Sequence, residues 1–441
     1  MSPNEILALL MLAGFMGMIL IGIPVGIALA VSGLCFGFLG FGDALFGLLP
    51  ARIYGVVTNY TLLAIPLFVF MGVMLEKSRI ADTLLDTMGH AMGGLRGGMG
   101  IAIVLVGVLL GASTGIVGAT VVTVGLLTLP VLMRRGYDKG LACGTICASG
   151  TLGQILPPSL VLILLSDILG ESVGSLFAAA LLPGLLLAAV YVIYLLLLGW
   201  LRPGMAPAID AAERASIGGR ELGMRLIKSV APTLLLVCAV LGSIIGGVAA
   251  PTEAASMGAA GSLLIALLAR RLNWQVLNET LKGTVGISAM VFFILMCAQP
   301  FALAFRGLGG EYLVEDLFSL IPGGLTAELL FLMLVLFILG FFLEWIEISY
   351  IALPLFLPLF QAAGVDMVWL GILVAMNLQA SFLTPPFGWA LFFLKGVAPK
   401  GIRTRHIYLG VLPFIGLQLI ALGLVFVFPA MATWLPAAIG W

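Results

Sequence analysis

The sequence predicts an all-α protein that crosses a membrane many times and contains two related halves. Three observations carry that prediction. Hydrophobic residues make up 62% of the chain and charged residues only 9%, with a mean hydropathy of +1.24. Soluble domains carry about a quarter charged residues, so most of this surface needs lipid as its solvent. Apolar runs of about 20 residues, the length that spans a bilayer, recur from end to end. Finally, proline landmarks repeat at one offset: Pro130 and Pro358 are 228 residues apart, as are Pro157 and Pro385, and Pro158 and Pro386. The offset implies two homologous halves and leaves their relative orientation open.

The first run, Asn4–Ile23, has no basic segment before it and leads straight into more apolar sequence. It reads as a spanning helix rather than a cleaved signal. Val25–Leu45, Leu62–Leu75, Gly100–Val117 and Leu176–Trp200 follow. Val230–Val248, Ala254–Ala269, Val285–Phe305, Ala327–Phe342 and Tyr408–Phe428 complete the set. The 57 glycines and 22 prolines suit membrane helices, where neighbours re-satisfy the freed backbone groups. Charge gives the orientation. Four basic clusters, around Arg134–Lys139, Arg202–Lys228, Arg270–Lys282 and Lys395–Arg405, belong on the cytoplasmic side. The loop at Pro251–Glu253 has no Lys or Arg and faces out. Ala211–Lys228 mixes charge with Leu and Ile and reads as an amphipathic helix lying along the interface.

Each Pro-Pro pair interrupts an apolar run, in TLGQILPPS (Thr151–Ser159) and SFLTPPFG (Ser381–Gly388). Two consecutive prolines remove two backbone donors and push the preceding residue out of helical geometry. Orphaned carbonyls are costly in lipid unless they line a cavity or bind a cation. Matched, Pro/Gly-broken segments in two halves point to a transporter's binding site. Thr151, Gln154 and Ser159 gather at the first break, with Ser113, Thr114 and Thr120 in GASTGIVGAT before it; Asn377, Gln379, Ser381 and Thr384 gather at the second. Hydroxyl and carbonyl oxygens are hard ligands suited to sodium, and unwound helix starts could take a carboxylate through backbone N–H groups. A single such hydroxyl could equally bond back to its own helix. Glu344 and Glu347 lie three apart and share a face if their segment is helical. Acids inside a membrane segment default to a functional hypothesis, with a structural carboxylate on broken backbone as the equal alternative. Glu253 and Glu76 read as structural groups at segment ends.

Equal counts of 20 basic and 20 acidic residues give no basis for nucleic acid as a partner. The five cysteines all sit in apolar stretches, so no disulfide framework is expected. No Walker-type loop is present, which excludes ATP as the direct energy source. His90 and His406 lack companions for a metal site, and no nucleophile, base and orienter set marks an enzyme. A channel would need a continuous pore, against which a single-chain repeat with broken segments argues.

The stretches IPLFVFMGVMLEKSRIADTLL (Ile65–Leu85), GASTGIVGA, LACGTICASGTLGQILPPS (Leu141–Ser159), APTEAA (Ala250–Ala255) and FLTPPFG (Phe382–Gly388) together resemble the large membrane subunit of tripartite ATP-independent periplasmic (TRAP) transporters. The resemblance covers nearly the whole chain in the expected order. It implies an elevator-type fold with two inverted repeats, each holding a re-entrant hairpin, braced by scaffold helices. The divisions would be 1–57 (scaffold), 58–201 (first repeat), 202–284 (connection and scaffold) and 285–441 (second repeat).

The resemblance further implies sodium-driven import of a small organic anion, typically a carboxylate such as a C4-dicarboxylate, across the bacterial inner membrane. A periplasmic substrate-binding protein would deliver it, and a small membrane subunit would pack on the scaffold. Repeats and scaffold account for the length, so that subunit is expected as a separate chain. No cofactor beyond the coupling ion is implied. Carried over by position, a first sodium site would use Gly111, Ser113, Thr114, Gly153, Leu156 and Pro158, and a second Gly340, Ser381, Thr384 and Phe387, mostly through backbone carbonyls. Family members often have serine in place of Gly111 and glycine in place of Ser381. Backbone ligation would survive both changes. The anion would sit between the hairpin tips near Thr120, Gln154, Glu347 and Asn377. The rival reading is a stand-alone ion-coupled organic anion symporter or antiporter, separable by whether uptake depends on a soluble receptor.

Overall fold

A computed structural model describes residues 2–114, 117–210 and 218–441, with the side chains of 112–114 outside the described set. Among the described residues every regular element is helical, and eight helices are long and apolar enough to cross a membrane. Helix α1 (Pro3–Leu20) opens on a reciprocal cap: Glu5 N donates to Ser2 Oγ at 3.2 Å and Ser2 N to Glu5 Oε2 at 2.8 Å. Helix α2 (Val25–Phe41) stops before the end of the expected run. The reason is Gly42, whose φ of +57° no β-carbon-bearing residue takes easily. Helix α3 (Ala44–Val57) meets the next segment, Thr61–Lys77, at a bend of 51°; the bulk of that segment is α4 (Ala64–Lys77). Helix α5 (Ile80–Met92) leads into the first repeat.

The first repeat runs α6 (Gly98–Thr114), α7 (Val117–Arg134), α8 (Lys139–Thr151), α9 (Leu160–Leu169) and α10 (Val173–Leu201). Three further helices follow: α11 (Gly219–Ile245), α12 (Pro251–Leu268) and α13 (Trp274–Gly307), with the short α14 (Gly310–Ser319) after them. The expected interfacial helix at Ala211–Lys228 is corrected here. Residues 211–217 lie outside the described set, and from Gly219 onward the segment is the first part of α11, continuous with the span that follows. Its charged turns extend a membrane helix, because no glycine or proline stands between Glu221 and Val230 except Gly223, which one helical residue tolerates.

The second repeat matches the first element for element: α15 (Gly324–Leu339), α16 (Trp345–Ala362, with a π-helical turn at Ile348–Ala352), α17 (Met367–Leu383), α18 (Trp389–Val397) and α19 (Thr404–Val427). Helix α20 (Ala430–Ala438) closes the chain. The proline offset holds at finer grain. Asp138 caps α8 by accepting from Leu141 N at 2.9 Å, and Asp366 caps α17 by accepting from Trp369 N at 2.9 Å. Gly136 and Gly364 precede these caps with φ of +75° and +71°. Both Pro-Pro bonds are cis.

Charge fixes the relative orientation. The α7–α8 turn of the first repeat carries Arg134, Arg135 and Lys139, whereas its counterpart, the α16–α17 turn, carries Asp366 and no cation. At the opposite ends the signs swap: Glu171 lies between α9 and α10, and Lys400 and Arg403 between α18 and α19. The structure pairs the ends accordingly, since Lys139 Nζ donates to Gly401 O at 3.3 Å and Asp366 acts on Glu171. The two repeats are therefore inverted.

Helices α8 and α17, the first arms of the two hairpins, are buried along nearly their whole lengths. Helix α8 reaches that depth through Gly140 and Gly144, whose bare backbones pack directly on Gly410 of α19, a small-residue contact of the kind that brings membrane helices together. The first arm of one hairpin thus packs on the long helix of the opposite repeat, and the two first arms are joined by Gln379 Nε2 donating to Thr151 Oγ1.

Candidate functional site

Two backbone contacts position the hairpin tips. Gly111, at the end of α6, lies against Gly153 in the 3-10 turn that ends α8: a β-carbon on Gly153 would stand 2.7 Å from the Gly111 carbonyl oxygen. In the second repeat Gly340, the residue after α15, faces Ser381 on α17, and a β-carbon on Gly340 would collide with the Ser381 side chain. At both places a broken helix end touches a hairpin tip through at least one glycine. That is the arrangement in which orphaned carbonyls gather.

Of the residues expected as sodium ligands, Gly111, Gly153, Gly340 and Ser381 form these contacts. Leu156 and Pro158 are buried in the first tip, and the Leu156 side chain packs on Gly184 of α10, leaving its backbone for any ligand. The side chains of Ser113 and Thr114 lie outside the described residues. In the second tip, Ser381 Oγ donates to Leu378 O at 2.7 Å and Thr384 Oγ1 to Ala380 O at 2.8 Å. Both hydroxyl protons go back to the helix, while the oxygen lone pairs stay available as acceptors. The Thr384 carbonyl accepts from Gly388 N at 3.0 Å. Phe387 is half exposed, its ring against Phe342 at 5.5 Å.

The residues expected near the anion are all buried. Asn377 Nδ2 donates to Met333 O at 2.8 Å and ties α17 to α15. Glu347 Oε2 accepts from Glu344 N at 2.8 Å, so the two acids, read in sequence as one helix face, are separated by a helix start. Glu344 is the residue before α16, and Glu347 folds back onto it as an N-terminal cap. Gln154 is 1% exposed, and neither its amide nitrogen nor its oxygen has a hydrogen-bond partner.

The cavity beside the tips measures about 360 Å³. Helix α7 contributes Val117, Gly118, Ala119 and Val122; α13 contributes Ile287, Met290 and Val291. Leu160 and Trp389, the first residues of α9 and α18, stand in its wall, together with Phe382, Phe393 and Glu344–Ile346. Thr120, Gln154, Glu347 and Asn377 do not line it; Ala119, beside Thr120, and Glu344, capped by Glu347, do. Sequence reading missed the aromatic wall. The available signal was Trp345 and Trp389, each placed just beyond a break. Helix α9 starts without a side-chain cap, because Ser159 Oγ donates instead to Gln154 O at 2.6 Å, and α18 starts after Gly388, which has no side chain.

A second polar cluster links distant elements. Asn59, at the bend before α4, donates from Nδ2 to Asp167 Oδ1 at 2.5 Å, and Tyr350 OH of the π-helical turn donates to Asp167 Oδ2 at 2.8 Å.

Comparison with known proteins gives the family. Residues 12–431 match the model of the DctM component of tripartite ATP-independent periplasmic transporters. The "C4-dicarboxylate TRAP transporter large permease protein DctM" of Pseudomonas aeruginosa is 32% identical, over 89% of this chain and 90% of its own. The protein of the same name from Vibrio cholerae is 29% identical over 95% of each chain. A Vibrio cholerae relative at 28% identity, over 96% of this chain and 97% of its own, is a "Sialic acid TRAP transporter large permease protein". Among solved structures, the YdaH transporter of Alcanivorax borkumensis, described as having an unusual topology, aligns with a TM-score of 0.62 at 14% identity, over 91% of this chain and 90% of that one. That likeness shows a shared polytopic helical fold. The named relatives are transporter permeases and not enzymes. The chain belongs to the DctM family of tripartite ATP-independent periplasmic transporters as a large membrane subunit, a multi-pass protein of the inner membrane.

Proposed function

We propose that this subunit imports a small organic anion, a carboxylate, driven by a sodium gradient, with the anion held in the cavity between the hairpin tips. The observation that carries the reading is the meeting of two helix starts in one cavity wall. Leu160 and Trp389 open α9 and α18, neither helix has a side-chain cap, and both stand at the same cavity. Helix N-termini present free N–H groups and a partial positive charge, which suits a carboxylate where no cationic side chain is at hand.

Sodium sites are proposed at the two glycine contacts: Gly111, Ser113, Thr114, Gly153, Leu156 and Pro158 in the first, Gly340, Ser381, Thr384 and Phe387 in the second. The support is their equivalence under the inverted repeat and the concentration of main-chain carbonyls at broken helix ends. Thr120, Gln154, Glu347 and Asn377, buried and not in the cavity wall, would act on the anion indirectly, as Glu347 does by capping the Glu344 amide. The two hairpins with their repeats (within 58–201 and 285–441) would move as the carrier, while the N-terminal helices (1–57) and the connection with its helices (202–284) brace it. A periplasmic binding protein would load the outward face, and a separate small membrane subunit would complete the scaffold.

The test is uptake into proteoliposomes that hold this chain with its small subunit, supplied with a loaded binding protein, with and without an inward sodium gradient. Uptake that needs both the gradient and the binding protein is expected. Uptake without the binding protein would replace the reading with a stand-alone symporter, and uptake indifferent to sodium would remove the two ion sites.

A further inference from the structure

We propose that the cavity selects a carboxylate with one negative charge and an apolar body, and that Glu344 is the residue that turns dianions away. The inference rests on the cavity being the anion site and goes on to name the class of anion. A C4-dicarboxylate carries charge at both ends and needs two places where negative charge is welcome. The described wall supplies one such region, the paired helix starts at Leu160 and Trp389. The Trp389 ring stands in the same wall.

The rest of the wall is of a different character. Trp345, Phe382, Trp389 and Phe393 give it aromatic faces, Met290 and Val291 an aliphatic side. No Lys, Arg or His is among the described lining residues, and the one ionisable group is Glu344. Among the described residues no cation lies in salt-bridge contact with Glu344. Glu347, the other acid of the segment, is turned away to cap the Glu344 amide. A carboxylate with a ring or branched chain would satisfy both regions, with charge at the helix starts and body against the rings. A second carboxylate, by contrast, would enter an apolar wall that already carries an acid. Stripped of water in a wall with no cation to pair with it, that second carboxylate would lower affinity about a hundredfold, and Glu344, wherever it is ionised, adds like-charge repulsion. The cavity of about 360 Å³ lies toward the small end of the range of about 300–1,000 Å³ for small-molecule sites, which suits one ring with a short acid arm.

The experiment is a binding titration on the permease with its small membrane subunit in lipid nanodiscs, in sodium buffer, read by intrinsic tryptophan fluorescence. Phenylacetate serves as the apolar monoanion and succinate as the dianion. Phenylacetate is expected to bind about a hundredfold more tightly than succinate, and Trp389→Leu to weaken phenylacetate by removing an aromatic face of the wall. Glu344→Gln is expected to narrow the ratio of the two affinities by at least about tenfold. Succinate binding as tightly as phenylacetate in the unmodified protein would overturn the proposal and leave anion transport standing. An unchanged ratio in Glu344→Gln would remove Glu344 from the selection. Absence of saturable binding for both anions would overturn the proposal together with the assignment of this cavity to the anion.

Discussion

Gln379 donates from Nε2 to Thr151 Oγ1 at 3.4 Å, and the two residues are 228 positions apart, the offset that relates the two halves of the chain. Each is thus the other's counterpart, and the bond lies where the inverted repeats cross. Both residues are fully buried on the first arms of their hairpins, so the bond joins the two hairpins through side chains in a water-poor interior. The Thr151 hydroxyl donates in turn to Ala148 O at 2.9 Å, while Gln379 Oε1 has no partner.

Replacing Thr151 with valine keeps the shape and removes the acceptor, stranding the Gln379 amide. A buried polar group left unpaired costs about 1–3 kcal/mol, so Thr151→Val is expected to lower the thermal unfolding midpoint of the protein in nanodiscs. Adding Gln379→Leu should recover most of that loss, because the pair is then apolar on both sides. If the double variant is as unstable as the sum of the single variants, the bond does not couple the hairpins.

The glycine contacts predict a second asymmetry. Gly340→Ser alone drives a side chain into Ser381, whereas Gly340→Ser combined with Ser381→Gly moves the single side chain across the same contact. Sodium-dependent uptake is expected to be lost in the single variant and largely restored in the double. Gly153→Ala has no such rescue, because its partner is the backbone of Gly111 and no side chain can be removed to make room. Equal loss in the single and double variants at Gly340 would show that the contact is tolerant and its function lies elsewhere.

How much of this was legible in the sequence divides along one physical line. The repeat was legible because proline acts locally: Pro157 and Pro385 break a helix wherever they stand, so their spacing survives folding. The same offset was available in Asp138 and Asp366, each preceded by a glycine two residues earlier, and their capping bonds confirm it. The inversion needed only the signs of the charges at matched turns. Glu344 and Glu347 were misleading for the opposite reason. Their three-residue spacing promises a shared face only inside a continuous helix, and the segment starts a helix between them. The cavity could not be read at all, since its wall gathers residues from α7, α13 and α18 whose meeting is a tertiary fact.

Asp167 supplies a third prediction. Its two oxygens accept from Asn59 and Tyr350, which come from different halves of the chain, and hydrogen bonds to a charged group contribute about 1.5–3 kcal/mol each. Asp167→Ala removes both acceptors and is expected to lower the unfolding midpoint more than Asn59→Ala or Tyr350→Phe, each of which leaves one bond. The sum of the two smaller losses should approach the larger. A midpoint for Asp167→Ala equal to that of either single variant would mean that one of the two bonds contributes nothing.

The last prediction concerns pH and the outer turns of the hairpins. Glu171 lies in the connection between α9 and α10, where burial holds its carboxyl above the ordinary carboxylate range and the Asp366 charge, at the α16–α17 turn, pushes the same way. A raised value means that the folded state binds the proton more tightly than the unfolded chain does. Stability therefore rises as pH falls through the folded value, and the penalty is complete once pH exceeds it. Glu171→Gln removes the ionising group and keeps the shape, so its unfolding midpoint is expected to exceed that of the unmodified protein at neutral pH. The gap should close as pH falls to about 4, where the unfolded glutamate also takes up its proton. Asp366→Asn should give a smaller gain, because it relieves the like charge at Glu171 but weakens the cap that Asp366 places on Trp369 N. Midpoints that stay parallel from pH 4 to 8 would show that the two acids do not sense each other across the inverted ends.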